Sequence, residues 1–96
     1  GITPVLKTVG LCESFGMPLE LHGGGAGHLQ VLGAMGIPGE YYERGLLHPE
    51  IEYDPGAPWL NAPIDPMDEE GRVHVPQRPG LGYDIDWEYI EDHRVE

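Results

Sequence analysis

The chain has 96 residues, with 17 Asp and Glu against 5 Lys and Arg, a formal net charge of -12. That balance excludes nucleic acid and anionic membrane as partners, because both require a basic surface. A single cysteine, Cys12, rules out an internally disulfide-stapled secreted scaffold. Gly 15 and Pro 10 make up about a quarter of the chain, yet 40% of residues are hydrophobic, so this is no polar tail. No apolar run approaches the roughly 20 residues of a membrane span, and no signal-peptide pattern is present, so the expected location is cytoplasmic. One small domain is the upper bound, and a chain this short needs an idealised core, a staple or a partner. It begins with Gly rather than Met, and a piece of a larger protein is expected.

Thr3-Pro4 signals a helix start, with threonine as cap and proline in the first turn, where its missing N–H would have had no partner. From Pro4 to Phe15, Val5, Val9 and Cys12 fall at i, i+4 and i+7, a stripe for burial, and Gly16 stops the helix. Pro18 to His22 alternates as a strand does, Leu19 and Leu21 on one face, Glu20 and His22 on the other. Gly23-Gly24-Gly25-Ala26-Gly27 is a loop. His28 to Met35 forms a short helix, Gly36 to Gly39 a turn, and Glu40-Tyr41-Tyr42-Glu43 a second strand. Helix, strand, helix, strand with short links is the grammar of a parallel sheet with crossover helices, and two strands must complete a larger sheet or barrel.

The charge divides the chain near His48-Pro49. Residues 1–48 carry four acids and two bases, and residues 49–96 the other thirteen acids against three arginines. Two segments are expected: residues 1–48 as regular α/β structure, and residues 49–96 as an acidic, proline-rich segment packing back on the body. Within it, Arg72 to Pro76 reads as a short strand, and Asp86 caps a final helix running to His93.

His22-Gly-Gly-Gly shares its letters with the oxyanion segment of esterases, but no serine stands in a Gly-x-Ser-x-Gly turn. His22 with His28 and Glu43 lacks the usual metal-ligand spacings, and the glycine loop lacks the Walker lysine. No metal ligand is therefore assigned. Position offers another reading: His22 closes one parallel strand and Glu43 the next, and reactive side chains of α/β barrels sit at such strand ends. Strand parity puts Glu43 with Tyr41, and Glu40 with Tyr42. The alternative leaves His22 as a hydrogen-bonded interior histidine and Glu43 paired with Arg44 or solvent.

Gly1-Ile2-Thr3 before a helix, Phe15-Gly16-Met17-Pro18 before a strand ending in His22, and Glu43 about twenty residues on resemble the mandelate racemase branch of the enolase superfamily. Val75-Pro76 through Pro79-Gly80-Leu81-Gly82 and Asp84-Ile85-Asp86 is similar to that family's C-terminal segment. His22-Gly-Gly-Gly-Ala-Gly-His28 is closer to the acid-sugar dehydratases of the branch than to its racemases. The resemblance implies an α/β fold, the last two strands and helices of a (β/α) TIM-type barrel with an extended C-terminal segment. It also implies proton abstraction α to a carboxylate, with Mg2+ stabilising the anion, on a small sugar-acid substrate in a homo-oligomer when intact. His22 would be the acid/base, oriented by an aspartate of the preceding strand, and Glu43 would hold the substrate carboxylate. Metal carboxylates, the opposite-face lysine and that aspartate are expected upstream of Gly1, which leaves the 96 residues inactive alone. The competing class is a non-catalytic interaction segment or degenerate homologue.

Overall fold

A computed structural model of the chain describes residues 1–37, 41–44 and 57–95. Helix α1 runs from Ile2 to Ser14, α2 from Ala26 to Ala34, and α3 from Trp87 to Asp92. The stripe on α1 does what its spacing predicts: Val9 is buried and Val5 and Cys12 are half-buried. Its start differs. The helix begins two residues before Pro4, Gly1 is its cap, and no side chain caps it, so Thr3 lies inside the first turn. Its end follows the Schellman pattern. Gly16 takes φ 63°, its N–H donates to the Glu13 carbonyl at 3.0 Å, and the Met17 N–H donates to the Cys12 carbonyl at 2.9 Å.

The Glu13 carboxylate, one turn before that end, accepts from the Gly36 and Ile37 amides at 2.7 and 3.1 Å. It thereby ties the exit of α1 to the exit of α2, and the two helices pack on each other. Val9, Ala26, Leu29 and Val31 form the buried core. Leu11, Phe15 and Met17 remain more than half exposed, so α1 and the residues just after it also present apolar surface away from this core.

The two expected strands are a correction. Among the described residues no strand is formed, and Pro18–His22 and Tyr41–Glu43 carry no ladder; Glu40 lies outside the described residues. A strand exists through hydrogen bonds to a neighbour, and here side chains link the two segments instead. The alternation itself persists, since Leu19 and Leu21 are half-buried while Glu20 and His22 are exposed.

Residues 57–95 fold back onto this body. The Gln30 amide donates to the Pro76 carbonyl at 3.0 Å. Val75 lies so close to α2 that a Cβ on Gly33 would sit 3.0 Å from its Cγ2. Two small antiparallel pairings brace the segment: Leu60 with Ile85, and Met67 with Val73. The expected strand at 72–76 is thus a single bridge at Val73. Between Met67 and Val73, Asp68 accepts from the Glu70 and Arg72 amides at 3.0 and 2.8 Å, the local side-chain bonding that favours Asp in turns. Asp86 caps α3 as its sequence predicts, accepting from the Tyr89 amide at 2.9 Å. The break near His48-Pro49 lies outside the described residues.

The radius of gyration is 15.6 Å, against about 12 Å for a self-contained domain of this length. The chain is elongated, 49 × 34 × 23 Å, around a core of few side chains. Among the described residues no helix is long and apolar enough to cross a membrane.

Candidate active site

The site is assembled where the segment 18–22 hands over to the glycine loop. His22 and Glu43, separated by about twenty residues, meet with Nδ1 2.8 Å from Oε2. The same Oε2 accepts the Gly23 N–H at 2.7 Å. The His22 side chain is 95% exposed and that of Glu43 36%, so the pair is open to solvent.

Backbone geometry makes the pairing possible. Gly23 and Gly25 have φ of 91° and 101°, values that L side chains rarely adopt. Between them, a Cβ on Gly24 would lie 2.8 Å from the Glu43 carbonyl oxygen and 2.9 Å from the Tyr42 hydroxyl. Three consecutive glycines let the loop lie directly against residues 42–43, and its amides then reach their side chains.

The electrostatics follow from those bonds. The Gly23 N–H holds the Glu43 carboxyl below its ordinary range; partial desolvation opposes this, and the neighbouring His22 reinforces it. Glu43 is therefore an anion facing Nδ1. An anion there keeps the proton on Nδ1, and the neutral imidazole then carries its lone pair on Nε2. That is the tautomer a general base needs, on an exposed ring.

The resemblance assigns the orienting carboxylate to an aspartate before Gly1 and places Glu43 at the substrate. In this structure Glu43 itself engages Nδ1. The Gly23 and His22 bonds that lower its pKa favour the ionised carboxylate over a protonated, hydrogen-bond-donating form. His28, on the first turns of α2, has its ring 3.8 Å from where a Cβ of Gly23 would be, close enough to lower the Glu43 pKa slightly. His74 pairs with Asp68 at 2.7 Å, and His93 stacks on Tyr89 with centroids 3.9 Å apart; neither approaches the His22 pair in these contacts.

Two residues of the site were not singled out by sequence. The Tyr42 hydroxyl accepts the Gly25 N–H at 2.6 Å and donates to Asp65 Oδ2 at 2.7 Å. Arg44 Nε lies 3.7 Å from the same oxygen. Strand parity does separate Tyr42 from Glu43, but Asp65 belongs to a stretch without diagnostic spacing, and no local pattern announces the contact.

Residues 1–89 match the family model described as "Enolase C-terminal domain-like". The chain belongs to that family. Among solved structures, it is similar to the crystal structure of D-glucarate dehydratase from Agrobacterium tumefaciens complexed with magnesium. The identity is 54% and the TM-score 0.89, over 100% of this chain and 25% of that one. The chain thus spans a quarter of that enzyme's length. No curated protein sequence matched.

Magnesium prefers about six oxygen ligands in a near-octahedral cage. Among the described residues no three His, Cys, Asp or Glu side chains gather to hold a metal ion. The oxygen that Glu43 turns toward His22 is already engaged by Gly23. These residues do not fit a magnesium site.

Proposed function

We propose that these 96 residues form the closing part of the barrel of an acid-sugar dehydratase, a carbon–oxygen lyase acting on an aldaric acid such as D-glucarate. Magnesium, present in the similar enzyme, is held in this reading by residues outside the described ones. The intact protein is read as a homo-oligomer in the cytoplasm.

The contribution of this chain is acid/base chemistry at His22. Dehydration breaks the C–H bond α to the substrate carboxylate and the C–O bond of the neighbouring hydroxyl, and a carbon–carbon double bond forms between them. With its proton fixed on Nδ1 by Glu43, His22 takes a proton at Nε2. The imidazolium so formed returns a proton from Nε2 to the departing hydroxyl, which leaves as water. Histidine suits both steps because its ordinary pKa lies near working pH, and placement of such a group typically contributes about 10²–10⁴-fold. Glu43 orients the ring and stabilises the imidazolium.

The observation that carries this reading is the 2.8 Å contact between Glu43 Oε2 and Nδ1 of a solvent-exposed His22. It is tested by incubating the full-length protein that carries this segment with magnesium and D-glucarate. Formation of the keto-deoxy product, with loss of water, is expected. No turnover of any aldaric acid would leave the segment as a non-catalytic homologue.

A further inference from the structure

We propose that Tyr42 is a positioning residue for the His22–Glu43 site, its hydroxyl locking the glycine loop to Asp65 and so to the C-terminal segment. The inference rests on the roles given above to His22 and Glu43, and adds residues to that site.

Gly23-Gly24-Gly25 has no side chains with which to anchor itself, and glycine loses more conformational freedom on ordering than any other residue. The loop is held from outside by two adjacent residues. Glu43 Oε2 takes the Gly23 N–H at 2.7 Å, and the Tyr42 hydroxyl oxygen takes the Gly25 N–H at 2.6 Å. The two bonds thus grip the loop one residue either side of Gly24. Gly24 itself is seated against the Glu43 carbonyl too closely for a Cβ.

The Tyr42 grip is a relay. Accepting from Gly25, the hydroxyl donates its own proton to Asp65 Oδ2 at 2.7 Å. A carboxylate acceptor strengthens that bond, and a polarised hydroxyl is a better acceptor in turn. Burial, with Asp65 beside it, pushes the Tyr42 phenol up to about 12, so the donor persists across working pH. Asp65 is itself fixed, its side chain 15% exposed with Arg44 Nε 3.7 Å away. Residues 57–95 thereby reach into the loop that presents Gly23 to Glu43, and through Glu43 they set the ring of His22.

The experiment is performed on the full-length protein, with Tyr42→Phe, Asp65→Asn and Asp65→Leu compared with wild type. Tyr42→Phe leaves Gly25 without its acceptor, and kcat should fall roughly 10- to 100-fold with KM nearly unchanged, the loss expected when a catalytic group is misplaced by a fraction of an ångström to an ångström. Exchange of the Gly23 amide, which Tyr42 does not touch, should quicken together with that of Gly25. Asp65→Asn keeps an oxygen for the tyrosine proton and should restore most of kcat, while Asp65→Leu should resemble Tyr42→Phe. Wild-type kcat and wild-type Gly23 exchange in a folded Tyr42→Phe protein would overturn the proposal, as would equal damage from Asn and Leu at position 65. If the wild-type protein turns over no aldaric acid, the dehydratase reading falls, and quickened Gly23 exchange in Tyr42→Phe still supports the relay.

Discussion

His22 Nδ1 and Glu43 Oε2 lie 2.8 Å apart, and the same carboxylate oxygen accepts the Gly23 amide at 2.7 Å. The histidine ring is therefore oriented by a group that is itself held by the backbone next to that histidine. Each of the three parts fixes another, and this closed arrangement makes the site sensitive to changes well short of deletion.

Glu43→Gln should show that sensitivity in part. The amide keeps one acceptor oxygen but loses the charge that stabilises the imidazolium. Kinetics on the full-length protein should give a kcat loss of roughly 10-fold for Gln and a larger one, up to about 10³-fold, for Ala. Full activity in Glu43→Ala would remove Glu43 from the site.

Gly24→Ala tests the close seating of the loop. Its Cβ would meet the Glu43 carbonyl at 2.8 Å, a backbone atom that cannot swing aside. The loop must shift, and kcat is expected to fall at least roughly 10-fold while the melting temperature changes little. Unchanged kcat would show that the loop is not seated as described.

Acid should loosen the C-terminal segment. The Arg72 amide and its neighbours hold the Asp68 carboxyl down at about 2, Arg78 and Asn61 lower that of Asp84, and Gly23 that of Glu43. A folded pKa below the unfolded value of about 4 gives stability that is present above pH 4 and lost as pH falls toward 2. Hydrogen exchange over residues 67–75 should accelerate in that window, and Asp68→Asn should flatten the dependence. Exchange independent of pH-driven opening between 4 and 2 would contradict it.

Helix α3 has six residues and depends on its cap. Asp86→Ala removes the acceptor for the Tyr89 amide and should destabilise the helix by about 1 kcal/mol. Faster exchange over residues 87–92, with Asp86→Asn near wild type, is the expected result. Identical exchange in Asp86→Ala would make the cap incidental.

What the sequence made legible were features with local causes. The α1 stripe, its Gly16 stop and the Asp86 cap depend on residues within a turn of one another, and all three are seen. The face of Leu19 and Leu21 was equally readable, since alternation is a property of one segment. Strand pairing was not, because a ladder needs neighbours, and among the described residues none lines up beside 18–22. His22 and Glu43 could be paired by their positions at segment ends. The Tyr42–Asp65 contact could not, because it joins distant residues through chain that carries no periodic pattern.

His22→Asn in the full-length protein is the most direct test. Asparagine preserves a polar side chain of similar reach but cannot exchange a proton near neutral pH. Turnover of D-glucarate should fall by about 10³-fold or more while substrate still binds, measured by calorimetry beside steady-state kinetics. Near-normal turnover in that variant would contradict the assignment of acid/base chemistry to this residue.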